Sequence, residues 1–238
     1  MTLLKNNGLL VDAIVTDPPY QMVTERSGFA LIRREHFDGL ASIGSSASFS
    51  VLPYLPFFQK VCNPLVLFLF TNKNEMKSLI EWAESNKFSW DLLTWHKKNP
   101  MPMFNRHLLR DTEFIFYARA PGAFFPDSRS DYDLFRTWFV EDSPLRKIGR
   151  NELWHPALVH PCRKPLSILE NLVQLACPEG HTILDPFVGS GTTLQASLLH
   201  ERNGIGFEID PRWEPLLIEA IKTHSSKLAS FNDEKVMA

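Results

Sequence analysis

Two short segments each place a carboxylate at the end of an apolar run and follow it with a tight turn. The first is Asp17-Pro18-Pro19-Tyr20, which comes directly after the apolar residues 11–16. Proline cannot donate to a strand ladder, so the strand must end there, which places the Asp17 carboxylate at the carboxyl end of the strand. The alternative is an ordinary strand end and turn, where Asp and Pro are common.

The second segment runs from a strand through a glycine turn into a helix. It reads Asp185-Pro186-Phe187-Val188-Gly189-Ser190-Gly191-Thr192-Thr193. Glycine lets the backbone approach a ligand closely, and a helix start offers free N–H groups to an anion. A P-loop would need a lysine after the second glycine, and a dinucleotide site a third glycine at Leu194. Neither is present, so the segment favours an adenosyl ligand without a pyrophosphate.

Glu208 is the candidate partner for the ribose of such a ligand. It lies 19 residues after Gly189, near the end of the next apolar strand. A carboxylate there can bind both ribose hydroxyls. The alternative is that Glu208 and Asp210 only cap the following helix, and for Asp210 we favour this alternative.

The apolar runs that must position these residues alternate with helical patterns. This order predicts an α/β fold with a doubly wound, mostly parallel sheet, whose ligands bind at the carboxyl ends of the strands. Asp17 and Asp185 both lie at such ends, so we expect them in one site. Strands are predicted at 11–16, 65–70, 90–95, 113–118, 182–184 and 204–209, and helices at 51–61, 74–86, 166–176, 192–200 and 214–224. Residues 119–160 have no clear pattern.

The composition is that of an ordinary globular protein. The chain has 238 residues, 44% of them hydrophobic, and a net charge of −2. We expect a single domain over 1–238 without a membrane span, in the cytoplasm, because the three cysteines form no Cys-x-x-Cys pair and no signal peptide is present. The same cysteine pattern predicts no metal site.

The two segments together resemble the S-adenosylmethionine-dependent DNA amino-methyltransferases, in the order of the β class. Two further elements support the resemblance. His160-Pro161-Cys162-Arg163-Lys164-Pro165 is similar to the HP-x-x-KP element of that class, and residues 112–119 (TEFIFYAR) are similar to its TE-x-I strand. The likeness covers residues 11–20 and about 90–224. It implies a Rossmann-like methyltransferase fold, S-adenosylmethionine as cofactor and DNA as substrate.

The resemblance also implies roles for the site residues. Asp17 and the carbonyl of Pro18 would accept the two N–H bonds of a flipped-out base, Pro19 would hold the turn and Tyr20 would stack on the base. Asp-Pro-Pro-Tyr favours the N6 amine of adenine, and N4 of cytosine is the alternative. The cofactor would be bound by Lys164, Asp185, Phe187, Gly189, Ser190, Gly191, Thr192, Thr193 and Glu208. Lys164 would lie near the methionine carboxylate, or else be a solvated lysine.

Target recognition is assigned to charged and aromatic stretches. We expect residues 21–50 to form an active-site loop and residues 123–154 a small target-recognition insertion. Basic residues expected on DNA phosphates are Lys97, Lys98, Arg106, Arg110, Arg146, Lys147 and Arg150. A homodimer and a restriction endonuclease partner are compatible with this class. Only ten residues precede Val11, so an N-terminal edge strand of the family is expected to be missing, and a catalytically impaired DNA-binding remnant is an alternative, as is an RNA or protein methyltransferase.

Overall fold

The fold is a seven-stranded sheet with helices on both faces. The computed structural model describes residues 10–19, 49–100, 108–127, 131–144 and 162–222. The strands are β1 (Ala13–Thr16), β2 (Val66–Thr71), β3 (Ser89–Lys97), β4 (Thr112–Arg119), β5 (Trp138–Glu141), β6 (Thr182–Asp185) and β7 (Asn203–Gly206). The helices are α1 (Leu55–Val61), α2 (Lys73–Ser85), α3 (Leu166–Ala176), α4 (Thr192–Leu199) and α5 (214–222), with 3-10 turns at Leu52–Tyr54 and Pro211–Trp213.

The strand order is β5-β3-β4-β2-β1-β6-β7. β1 pairs in parallel with β2 on one side and β6 on the other, and β6 pairs in parallel with β7. β4 runs antiparallel to both β2 and β3, whereas β5 is parallel to β3. The predicted doubly wound, mostly parallel sheet is therefore confirmed. In the described part of the chain, β7 is the outermost strand on its side.

Alternate residues of the central strands supply two separate cores. Val15 of β1 and Phe68 of β2 belong to the cluster that packs against α3, while Ile14 and Leu67 belong to the cluster under α1 and α2. All four side chains are at most 2% exposed. A parallel sheet covered on both faces needs apolar residues at every position, which explains the unbroken apolar runs.

The middle of the predicted irregular region 119–160 departs from expectation. Trp138–Glu141 forms β5, an edge strand of the main sheet whose register pairs Thr94 with Trp138 and Lys97 with Glu141. The segment is short and half-exposed, so it lacks the apolar run that marks the inner strands. Part of the expected target-recognition insertion therefore belongs to the main sheet, and its role in recognition stays a prediction.

Some predicted features lie outside the described residues. They are Tyr20, nearly all of the loop 21–50, and the basic residues Arg106, Arg146, Lys147 and Arg150. Among the residues that are described, no helix has the length and apolarity that a membrane crossing requires.

Candidate active site

The carboxyl ends of β1 and β6 bring the two predicted segments side by side. Because these strands are parallel neighbours, with Ile14 opposite Leu184, the residues that follow them emerge at the same edge of the sheet. Thr16 Oγ1 donates a hydrogen bond of 2.6 Å to Asp185 Oδ1 across this edge. The expectation that Asp17 and Asp185 belong to one site is thus supported by the register itself.

Asp17 has one engaged and one open carboxylate oxygen. Oδ2 accepts from Lys164 Nζ at 2.5 Å, whereas Oδ1 is buried and has no hydrogen-bond partner among the residues that the structure describes. The side chain is 20% exposed, Pro18 is buried and Pro19 is exposed. A buried acceptor without a donor costs free energy, so this oxygen is a ready position for an incoming N–H group.

Burial raises the pKa of Asp17 to about 6. The Lys164 ammonium opposes that rise, while the carboxylates of Glu113 and Asp185 add to it. A carboxylate with a pKa near 6 remains ionised at neutral pH and is a stronger hydrogen-bond acceptor and base than an ordinary aspartate.

Lys164 lies between two carboxylates rather than in solvent. Its side chain is 7% exposed, and Nζ lies 2.5 Å from Asp17 Oδ2 and 3.4 Å from Glu113 Oε2. The ammonium also lies over the Phe70 ring, 5.1 Å from its centroid, and donates to the Cys162 carbonyl at 3.4 Å. The alternative of a solvated lysine is wrong. The structure pairs the ammonium with the Asp17 segment, a contact that the cofactor assignment did not include.

Glu113, on β4, continues this row of charges. Its Oε1 lies 2.6 Å from Lys97 Nζ, and both side chains are about one-fifth exposed. Burial favours the protonated form of Glu113, but Lys164 and Lys97 together bring its pKa below the ordinary value. Lys97 was expected on a DNA phosphate; its ammonium pairs with Glu113 in this structure, and its contact with a phosphate stays a prediction.

The remaining described basic candidates lie on the surface. The Lys98 side chain is 53% exposed, with Nζ 3.9 Å from Glu141 Oε2, and Arg110 is exposed. Both side chains are accessible to the phosphate backbone of DNA. The ion pair of Lys98 does not prevent such a contact, because an exposed pair at this distance is weak.

The glycine turn is built around Asp185. Oδ1 accepts from the Phe187 N–H at 3.0 Å as well as from Thr16, and burial raises its pKa. Gly189 and Gly191 have φ values of 49° and 78°, a backbone region that favours glycine. Gly191 is the N-cap of α4 and makes no side-chain hydrogen bond to the first N–H groups of the helix.

The polar residues at the helix start differ in their exposure. Thr192 and Thr193 are 4% and 6% exposed, and Ser190 Oγ lies 2.9 Å from Thr192 Oγ1. Thr193 also bonds to Asp185. Ser190 is thus the most accessible of the three, and the two threonines hold the turn on the helix.

Glu208 ties the glycine turn to the end of β7. Oε2 accepts from the Gly189 N–H at 2.9 Å and Oε1 from the Asp210 N–H at 2.8 Å. Asp210 accepts from Arg212 N and so caps the 3-10 turn, which confirms our preferred interpretation of that residue. Glu208 does not cap a helix. Each of its oxygens retains a lone pair, so binding a ribose remains chemically open.

An aromatic group flanks the same turn and was not predicted. The Phe187 ring lies edge-on to Phe49 and to Tyr54, with centroid separations of 5.6 and 5.8 Å, and Phe49 and Tyr54 are stacked. Phe49 and Tyr54 come from a region that we interpreted only as loop and helix, so nothing in their spacing indicated a site.

These groups fit an adenosyl ligand. The Glu208 carboxylate after β7 suits hydroxyl groups, the aromatic group suits a purine ring, and Asp17 Oδ1 is an acceptor without a donor among the described residues. Within the described residues, no group of three or more His, Cys, Asp or Glu side chains is placed to hold a metal ion.

The chain matches known proteins over most of its length. A family model described as DNA methylase matches residues 11–219. The chain is 31% identical over 240 residues to the type II methyltransferase M.HpaI of Haemophilus parainfluenzae, covering 94% of this chain and 72% of that protein. It is also 31% identical to M2.MboI of Moraxella bovis over 135 residues, covering 52% of this chain and 46% of that protein. The chain spans about half the length of several curated relatives that it matches.

Solved structures of similar fold point the same way. The M1.HpyAVI–SAM complex aligns with a TM-score of 0.62 and 25% identity, covering 92% of this chain and 93% of that one. The cytosine-N4-specific PvuII DNA methyltransferase aligns with the same TM-score at 13% identity, covering 90% and 81%. The second likeness supports the fold alone.

Proposed function

Because the chain belongs to the DNA methylase family, we propose that it transfers a methyl group from S-adenosylmethionine to an exocyclic amine of a base in DNA. The observation that carries the proposal is the buried, unpartnered Oδ1 of Asp17 at the edge of the sheet where ligands bind. A base inside a duplex cannot reach this position, so the target base is flipped out of the helix.

Asp17 accepts one N–H of the target amine through Oδ1, and the Pro18 carbonyl accepts the other. These two acceptors help the amine nitrogen to become tetrahedral, so that its lone pair is available to attack a methyl carbon. The raised pKa of Asp17 also suits it to take the proton that the methylated amine must lose. Tyr20 stacks on the target base, and Pro19 holds the turn in a fixed conformation.

The cofactor site comprises Phe187, the glycine turn from Gly189 to Thr193, and Glu208, with Asp185 organising the turn beneath them. S-adenosylmethionine supplies a methyl group on a positively charged sulfur. Glu208 binds the ribose hydroxyls while it also holds the Gly189 N–H. Phe187, with Phe49 and Tyr54, provides a wall for the adenine ring.

Adenine N6 is our choice of target atom over cytosine N4. The Asp-Pro-Pro-Tyr segment supports it, since cytosine-N4 members of the family more often carry serine in place of Asp17. Lys98 and Arg110 are the described basic residues that we propose to contact the DNA backbone.

The test uses labelled S-adenosylmethionine, DNA, and digestion of the product to nucleosides for mass spectrometry. We expect labelled N6-methyladenine from the wild type and none from Asp17→Ala, which should still bind the cofactor in calorimetry. Asp91→Ala is the control, because Asp91 is exposed on β3 and its substitution should leave methylation intact. Labelled N4-methylcytosine would show that the target atom is N4 of cytosine and not N6 of adenine. The absence of any labelled nucleoside with the wild type would refute the proposal.

A further inference from the structure

We infer that Lys164 is a positioning residue that holds Asp17 Oδ2 so that Oδ1 faces the target amine, and that Glu113 holds Lys164 in turn. This inference rests on the proposed function, because it assigns Asp17 the role of acceptor. It differs from the expectation that Lys164 binds the methionine carboxylate of the cofactor.

The contact between Lys164 and Asp17 orients the Asp17 carboxylate. Lys164 and Asp17 are 147 residues apart in the chain, yet Nζ and Oδ2 lie 2.5 Å apart. A hydrogen bond from the ammonium to one carboxylate oxygen orients the carboxylate and therefore sets the direction of the other oxygen. Oδ1, which is buried and unpartnered among the described residues, is the oxygen left for the substrate.

The charge of Lys164 also holds it beside the carboxylates of Asp17 and Glu113. A lysine that is 7% exposed must be paired, because an uncompensated buried ammonium is strongly unfavourable. Glu113 Oε2, at 3.4 Å, supplies a second negative charge. The positive charge of Lys164 therefore compensates the negative charges of two carboxylates, Asp17 and Glu113.

This shared pairing predicts opposite effects of two substitutions on the ionisation of Asp17. Removing Lys164 takes away the charge that lowers the pKa of Asp17, and removing Glu113 takes away a charge that raises it. Asp185 on β6 also faces Asp17 and raises its pKa. The Cys162 thiol faces Asp17 too, but desolvation raises its pKa to about 11, so it stays neutral in the range of interest.

The experiment measures the titration of Asp17 by NMR of carboxyl-labelled protein without DNA, with the Asp17 signal identified by its loss in Asp17→Asn. We expect a midpoint near 6 in wild type, a higher midpoint in Lys164→Met and a lower one in Glu113→Gln. Lys98→Met is the matched control, since that lysine pairs only weakly with Glu141 at 3.9 Å and should leave the midpoint unchanged. Unchanged midpoints in both test variants would overturn the inference.

Single-turnover methylation and cofactor calorimetry complete the test. We expect Lys164→Met to slow transfer about 100-fold, as misplacement of a reacting group does, with cofactor affinity changed by less than about 3-fold. Lys164→Arg should recover part of the rate because it restores the charge beside Asp17. Loss of cofactor affinity with an unshifted Asp17 midpoint would instead assign Lys164 to the cofactor and refute the inference.

Two possible failures, an unfolded Lys164→Met variant and an inactive wild type, still leave the inference testable. If Lys164→Met does not fold, the double variant Lys164→Met with Glu113→Gln removes opposite charges together, and a loss of transfer with retained cofactor binding is expected from it. If wild type transfers no methyl group to DNA, the proposed function fails, but the titration still shows whether Lys164 and Glu113 control Asp17.

Discussion

Thr16 and Asp185 are joined by a buried hydrogen bond of 2.6 Å, although 169 residues separate them in the chain. The bond links the strand that leads into Asp17 with the strand that leads into the glycine turn. Asp17, the proposed acceptor for the target amine, and the glycine turn, the proposed cofactor site, are therefore linked by a direct hydrogen bond between the residues beside them.

Thr16→Val should weaken this link. The substitution keeps the shape of the side chain but leaves Asp185 without one of its donors, which should lower the free energy of unfolding by about 1–3 kcal/mol. Urea denaturation measures this change, and calorimetry should show weaker cofactor binding. Thr71→Val is the matched control. Thr71 ends β2 with 3% exposure, but its hydroxyl makes only a 3.5 Å bond to the Asn72 carbonyl, so its loss should cost less. Equal costs would contradict a special role for the Thr16 bond.

Asp17 should make stability depend on pH. Its pKa is raised from 3.8 to about 6 in the folded protein. Because folding raises this pKa, protonated Asp17 stabilises the folded protein. The contribution is fully present below pH 3.8, the pKa in the unfolded chain, and is lost as pH rises through about 6, the pKa in the folded protein. Asp17→Asn is neutral throughout and avoids this loss. Between pH 4 and pH 8, its unfolding free energy should increase relative to wild type by up to about 3 kcal/mol.

Urea denaturation at several pH values measures that difference. Asp91→Asn, at an exposed position, should track wild type across the whole range. A constant difference between Asp17→Asn and wild type would show that the Asp17 pKa is not raised by folding.

Gly191→Ala should disturb the turn through its backbone and through crowding. The residue has φ 78°, and an added Cβ would lie 2.9 Å from Leu217 Cδ2 on α5. Gly122→Ala separates the two causes, because Gly122 has φ 77° but nothing within 4 Å of an added Cβ. We expect Gly191→Ala to be less stable than Gly122→Ala by roughly 1–3 kcal/mol in urea denaturation. Similar losses in both would show that Leu217 moves aside without cost.

Glu208→Gln should reduce cofactor affinity. The amide oxygen can still accept from one of the two backbone N–H groups, those of Gly189 and Asp210. The NH₂ group cannot accept from the other, so one of the two hydrogen bonds is lost. We expect the dissociation constant measured by calorimetry to rise at least about 10-fold, as the loss of a hydrogen bond to a charged group does. Asp210→Asn is the control, because that side chain pairs with Arg212 and caps a turn beyond the site. Unchanged affinity in Glu208→Gln would exclude a ribose contact.

The sequence predicted the inner strands well because burial on both faces leaves an unbroken apolar pattern. It also predicted that Asp17 and Asp185 lie together, since carboxyl ends of parallel strands share an edge. The direction of β4 was not predictable, because an apolar strand reads the same when it runs antiparallel. β5 was missed because Trp138–Glu141 is short and partly exposed.

Contacts between distant charged side chains were the other limit of prediction. Nothing in local spacing showed that Lys164 would contact Asp17 rather than the cofactor, because the contact depends on how three segments meet in space. The family elements around Lys164 and Glu113 were recognised separately. Only the structure shows that the Lys164 ammonium lies 2.5 Å from Asp17 and 3.4 Å from Glu113.

The central place of β1 has a consequence for protein synthesis. β1 is made before β6, which it needs as its second neighbour, and β6 begins only at Thr182. While a nascent chain on the ribosome lacks β6, one side of a buried strand stays unpaired, and such strand edges are prone to aggregation. The candidate site can assemble only after β6 has been made, and a chain released before Thr182 would keep Asp17 but have no glycine turn beside it.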